Sequence, residues 1–170
     1  MLKIIGSKDC CDPQVEFGEY LPLKIFCGDK FFNSKSYWRV GNFQSSLMEI
    51  EIDQESLQLM AVSVIISDEV IWGLPEIDFS CAKVDNGWPV IDVKEWPMDG
   101  IKDEEISFRI FVDDKNIFIQ MCHQKTTSKV ISVNNVAFGV DSNNFLIWIM
   151  ASNLKIENLI EFKNLWSMSS

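Results

Sequence analysis

Between residues 106 and 150 this chain twice repeats one pattern: an apolar run, four turn-forming residues, and a second apolar run. Ile106-Ser-Phe-Arg-Ile-Phe-Val passes through Asp113-Asp-Lys-Asn into Ile117-Phe-Ile-Gln-Met-Cys. Asn135-Val-Ala-Phe-Gly-Val passes through Asp141-Ser-Asn-Asn into Phe145-Leu-Ile-Trp-Ile-Met. Asp and Asn favour tight turns because their side chains bond the nearby backbone, so both patterns predict β-hairpins. Side chains alternate along a strand, which puts Ile106, Phe108, Ile110 and Val112 on one face and starts the other with Ser107 and Arg109. Phe145 to Met150 is apolar on both faces, as expected of a central strand covered on each side.

The composition agrees with strands. There are 20 Ile and 11 Asn but only 4 Ala, a usage that disfavours a helical bundle and points to AT-rich coding DNA of the kind found in mobile bacterial genes. Met48-Glu-Ile-Glu-Ile-Asp alternates apolar and acidic residues, the period of a half-exposed strand. Gln58 to Ile66 follows after a short polar break and completes a third hairpin, with Met60, Val62, Val64 and Ile66 on one face and Ile65 on the other. Gly73, Pro75, Gly87, Pro89, Pro97 and Gly100 exclude long helices from 67–105, where a short strand at Val90–Val93 is expected. Residues 1–45 read as irregular and aromatic-rich, with short strands at Leu21–Phe26 and Lys35–Val40. At the C-terminus, Leu159, Ile160, Phe162, Leu165 and Trp166 recur near helical spacing. Glu157 and Glu161 come early and Lys163 late, which predicts a helix over about 156–167, within a C-terminal segment 152–168, capped near Ser152 or Asn153. The expected fold is one α+β domain over 1–170: a mainly antiparallel meander across 46–150, with that helix packed on one face.

Sites for chemistry are sparse. His123 is the single histidine, no GxSxG surrounds a serine, and neither GxxxxGK[ST] nor GxGxxG occurs. Cys122 beside His123 is a poor catalytic pair, because neighbours on a strand point apart. Cys10, Cys11, Cys27, Cys81 and Cys122 are odd in number and lack metal spacing, so free thiols in a reducing compartment are expected, with no metal and no cofactor. The start of the chain has too short an apolar core for a signal peptide, and no stretch is long enough for a membrane span.

Charge is the remaining signal. Acids outnumber bases 25 to 15, a formal net charge of -10, with no basic stripe for nucleic acid. Asp92, Glu95, Asp99, Asp103, Glu104 and Glu105 crowd one stretch, with Trp88 and Trp96 within or beside it. Aromatic anchors ringed by acids suit a partner-binding patch, and these eight residues form the expected interface.

Size, acidity, the Ile- and Asn-rich usage and the Ile106–Trp166 run of hairpins and helix resemble the cytosolic immunity proteins of bacterial contact-dependent inhibition and related polymorphic toxin systems. The resemblance implies a non-enzymatic cytoplasmic protein. It would bind a cognate toxin domain, often a basic nuclease, and occlude its active site or substrate surface. The alternatives are another acidic interaction module, such as a subunit of a cytosolic complex or a phage factor, and a small enzyme using carboxylates on an unfamiliar scaffold.

Overall fold

Fifteen strands and one helix form among the described residues of the computed structural model, which are 1–10, 12–28, 34–77, 82–121 and 126–167. A six-stranded sheet runs, edge to edge, β10 (Ile101–Glu104), β4 (Lys35–Gly41), β5 (Leu47–Asp53), β6 (Leu59–Ile66), β3 (Leu23–Cys27) and β2 (Pro13–Glu16). A seven-stranded sheet runs β7 (Val70–Trp72), β11 (Arg109–Val112), β12 (Ile117–Gln120), β15 (Leu146–Ala151), β14 (Val136–Val140), β13 (Lys129–Val133) and β8 (Lys83–Asn86). A third, two-stranded sheet pairs β1 (Ile4–Lys8) with β9 (Trp88–Ile91).

The three expected hairpins are present. β5 pairs with β6, β11 with β12 and β14 with β15, all antiparallel. Asp113 makes the first of the two later turns: its Oδ1 accepts the backbone N–H groups of Lys115 and Asn116, each at 2.7 Å. Asp141 does the same for Asn143 and Phe145 at 2.9 and 2.8 Å. β15 lies at the centre of its sheet.

One core joins the sheets. Trp38, Val40, Met48, Ile50, Ile52, Val62 and Val64 from the first share a cluster with Ile110, Val112, Ile117, Ile119, Phe138 and Ile149 from the second. Trp88 couples them directly. Its indole N–H donates to the Leu59 carbonyl at 2.6 Å, and its ring meets Phe138 edge-on with centroids 4.9 Å apart.

The expected α+β meander is therefore corrected to a mostly-β architecture of three sheets. Three pairings are parallel: β10 with β4, β7 with β11, and β8 with β13. Parallel neighbours need crossovers, which a meander lacks. The helix α1 (Ile156–Ser167) forms at the expected place, but it does not cover a sheet face. Leu159 and Phe162 enter the shared core, and Phe162 meets Phe17, just after edge strand β2, at 5.8 Å. The physical reason is coverage: the inner faces of two large sheets bury each other, and the twelve-residue helix adds Leu159 and Phe162 to that shared core. The side chains of Glu161, Lys163, Leu165 and Trp166 lie outside the described residues. The helix also begins later than the proposed caps. Ser152 Oγ donates to the Asn135 carbonyl, and the first helical N–H groups go to the Lys155 carbonyl.

Three local expectations also change. Residues 1–45 contribute β1 to β4, and β2, β3 and β4 join the six-stranded sheet. Register shifts at both ends of the β5–β6 pair move the expected face: Leu59 joins the shared cluster, Met60 is buried outside it, and Ile66 is exposed beside Ile65. Cys10 and Cys27 are disulfide-bonded, with Cα atoms 6.4 Å apart, where free thiols were expected. The backbone brings β1's end to β3's end, a closeness that spacing along the chain does not reveal. Cys11, Cys81, Cys122 and His123 lie outside the described residues.

Candidate partner-binding surface

β10 pairs in parallel with β4, so its residues alternate between two environments. Ile101 and Asp103 lie opposite Tyr37 and Arg39, on the outer face of the six-stranded sheet. Lys102 and Glu104 lie opposite Trp38 and Val40, on the core side. This pairing divides the acidic stretch that looked continuous in the sequence.

Glu104 is turned inward. Its Oε2 accepts the Trp38 indole N–H at 2.6 Å and binds the Met1 amino group, and its Oε1 lies 3.2 Å from Lys102 Nζ. Partial burial pushes its carboxyl up, but the bonds from the amino group and Trp38 outweigh this and hold it below the usual carboxylate value. Asp103 takes two bonds from the Arg39 guanidinium, at 2.7 and 2.8 Å. Asp92 and Asp99 cap their own turns, accepting the N–H groups of Lys94 and Ile101 at 3.3 and 3.0 Å. Glu95 and Glu105 are exposed. Of the two expected anchors, Trp88 is fully buried and offers no surface to a partner. Trp96 is half-buried against the core, with the Lys102 ammonium 6.0 Å from its ring. A cation thus lies over that aromatic, with Asp92 and Glu95 lining the same cavity beside it.

The outer sheet face adds residues that the acidic stretch did not include. Across β10, β4, β5, β6, β3 and β2 the register makes a row of Asp103, Arg39, Glu49, Ser63, Lys24 and Glu16. The neighbouring row holds Ile101, Tyr37, Glu51, Ala61, Phe26 and Gln14. Lys35 bonds Glu51, and Lys24 lies 5.4 Å from the Phe26 ring centre. Among the described residues, Glu49 makes no such side-chain bond. Burial, and then the neighbouring Glu51, push its carboxyl above the usual value, against weaker opposing pulls from Arg39 and Lys35. The signal for Glu49 and Glu51 is the alternation of Met48 to Asp53, although the third acid, Asp53, is buried and accepts the Ser56 N–H.

On the other side of β10 lies a cavity of about 300 Å³, lined by Met1, Lys3, Asp92, Lys94, Glu95, Trp96, Lys102 and Phe145. Among the described residues there is no group of three or more His, Cys, Asp or Glu that could hold a metal ion. Nor, among them, is any helix long and apolar enough to cross a membrane, which says nothing of membrane-crossing strands. No protein-family profile matches this chain, and no curated protein matches it in sequence.

Proposed function

We propose that this protein acts by binding a basic protein partner: a non-enzymatic immunity protein that neutralises a nuclease-type toxin domain by covering its active site or substrate surface. Glu49 is the observation that carries the reading. It is a carboxylate on an open sheet face whose charge its own surroundings disfavour, and an arriving lysine or arginine would relieve that penalty. Tyr37 and Glu51 lie in the neighbouring row, Asp103 lies in the same row beyond Arg39, and Asp99 is close enough to act on Arg39. The formal charge of -10 supports the same reading at longer range, since it would steer a basic partner toward the molecule. The cytoplasmic part of the proposal requires Cys10 and Cys27 to be held as thiols in the cell, because cytosolic reductants open such bonds.

The test is co-purification with the product of the adjacent upstream gene, followed by association kinetics at rising salt. Exposed charges act over about 8 Å at physiological ionic strength, so the on-rate should fall steeply as salt rises. Glu49→Lys should weaken binding about tenfold or more, mostly through the on-rate. Replacing Asp99, Asp103 and Glu105 by Ser should flatten the salt dependence. An on-rate indifferent to salt and to all these changes would sink the proposal.

A further inference from the structure

We propose that the cavity between Trp96, Phe145 and the Lys3, Lys94 and Lys102 side chains is a binding site for a small aromatic carboxylate. The chain as a whole carries -10, yet the charged groups at this cavity sum to +1: the Met1 amino group, Lys3, Lys94 and Lys102 against Asp92, Glu95 and the Glu104 that Met1 and Lys102 share. That local reversal of sign marks the cavity out from the rest of the surface. Lys102 is committed to Glu104 at 3.2 Å, whereas Lys3 and Lys94 make no ion pair among the described residues. Asp92 is engaged by the N–H of Lys94, so its carboxylate is held in its own turn. Lys3 and Lys94, among the lining residues, are left to meet an anion, and Trp96 and Phe145 supply apolar walls for a ring.

Size and charge narrow the ligand. A volume of about 300 Å³ lies at the small end of ligand cavities. A monoanion neutralises a lining of +1, whereas a phosphate dianion would leave an excess negative charge inside an acidic protein. The backbone that holds the walls is tied together: the Asp92 N–H donates to the Lys3 carbonyl at 2.9 Å, and Lys3 bridges Phe145. The cavity is thus built from three chain segments clamped to one another. It lies on the opposite side of β10 from the face proposed for the protein partner, so the two proposals can fail separately.

Benzoate is the probe, with benzamide as its neutral analogue and inorganic phosphate as the non-aromatic anion. The readout is a ¹H–¹⁵N NMR titration of the whole chain at constant ionic strength, following the Trp96 indole N–H. Benzoate should shift that signal with a dissociation constant on the order of 1 mM. Benzamide and phosphate should each bind about tenfold more weakly. Lys94→Glu, a change at an exposed position, should weaken benzoate by a similar factor while the rest of the spectrum keeps its dispersion, and Lys3→Gln should weaken it less. No benzoate-dependent shift at Trp96 would overturn the proposal. So would equal binding of benzamide, or benzoate binding undiminished in Lys94→Glu.

Discussion

The outer faces of the two large sheets are built in opposite ways. On the six-stranded sheet the outward residues of the central strands are Glu49, Glu51, Ala61 and Ser63, flanked by Tyr37, Arg39 and Lys24. On the seven-stranded sheet they are Phe111, Phe118, Ile147 and Trp148, which form a second buried cluster with Ile71, Ile77, Val130, Ala137 and Met150 around it. A register shift between Gly139 and Val140 sends Leu146 into the main core while Ile147 and Trp148 both join the outer cluster. The cover comes from loops: Ile77 packs on the cluster, and Thr127 accepts the Trp148 indole N–H at 2.9 Å. Where outward side chains reach water, as in β5, the alternation is kept, whereas a face that the chain's own loops bury loses it.

That contrast can be broken at its strongest point first. Phe118 is 1% exposed, between Phe111 and Trp148 at 6.3 and 5.3 Å. Phe118→Ala should cost about 3–5 kcal/mol, as a truncation in a true core does. Tyr37→Ala, on the polar outer face, should cost about 1 kcal/mol or less. Urea unfolding of both variants decides; equal costs would mean that the second cluster is not a core.

The next test concerns two small residues in equivalent settings. A Cβ on Gly139 would fall 1.9 Å from the Trp148 ring, so this glycine makes the slot in which the indole lies. Gly139→Ala should cost about 1–3 kcal/mol by overpacking and should perturb the near-ultraviolet circular dichroism of tryptophan. Ser63, buried between Glu49 and Lys24 on the other sheet, loses only a hydroxyl on going to alanine, a change that should cost about 1 kcal/mol or less. Unchanged tryptophan dichroism and stability in Gly139→Ala would show that the slot is not tight.

The smallest effect lies among the carboxylates and turns on pH. Glu49 is raised in the folded protein, so its charge opposes folding at neutral pH and protonation relieves it. Glu49→Gln should therefore be neutral or stabilising at pH 7, by roughly 0.5 kcal/mol at most, and the gain should vanish as pH falls below the folded value. Glu104 is lowered, so its contribution is fully present above the unfolded value of about 4.3 and is lost as pH falls through the folded one. Glu104→Gln should destabilise at pH 7 and converge on the parent at low pH. Chemical unfolding of both variants from pH 7 to 3 reads the two signs, and the same sign for both would contradict this assignment.

Local elements were legible where neighbours in sequence are neighbours in space. The three hairpins depend on short turns, and α1 depends on apolar spacing within one segment, so both could be read directly. The candidate surface was half legible. Glu49 and Glu51 are announced by alternation in β5, whereas Asp103 and Glu104 look like one acidic run until β10 pairs with β4 and turns them to opposite sides. Trp88 looked like an exposed anchor beside acids, but β9 is fully buried and its indole finds the Leu59 carbonyl, 29 residues away.

Alternation, turn chemistry and the scarcity of alanine determined by themselves that this chain makes strands, and where most of the central hairpins turn. Those are local preferences, set by side-chain sterics and by hydrogen bonds a few residues long. Tertiary structure alone decided the three parallel pairings, the Cys10–Cys27 bond, the burial of Trp88, the second cluster behind β15 and the sign of charge in the cavity. Each of these depends on bringing together residues far apart in the chain. The gain from such contacts comes from burying whole faces at once, and no local segment records which face will cover it.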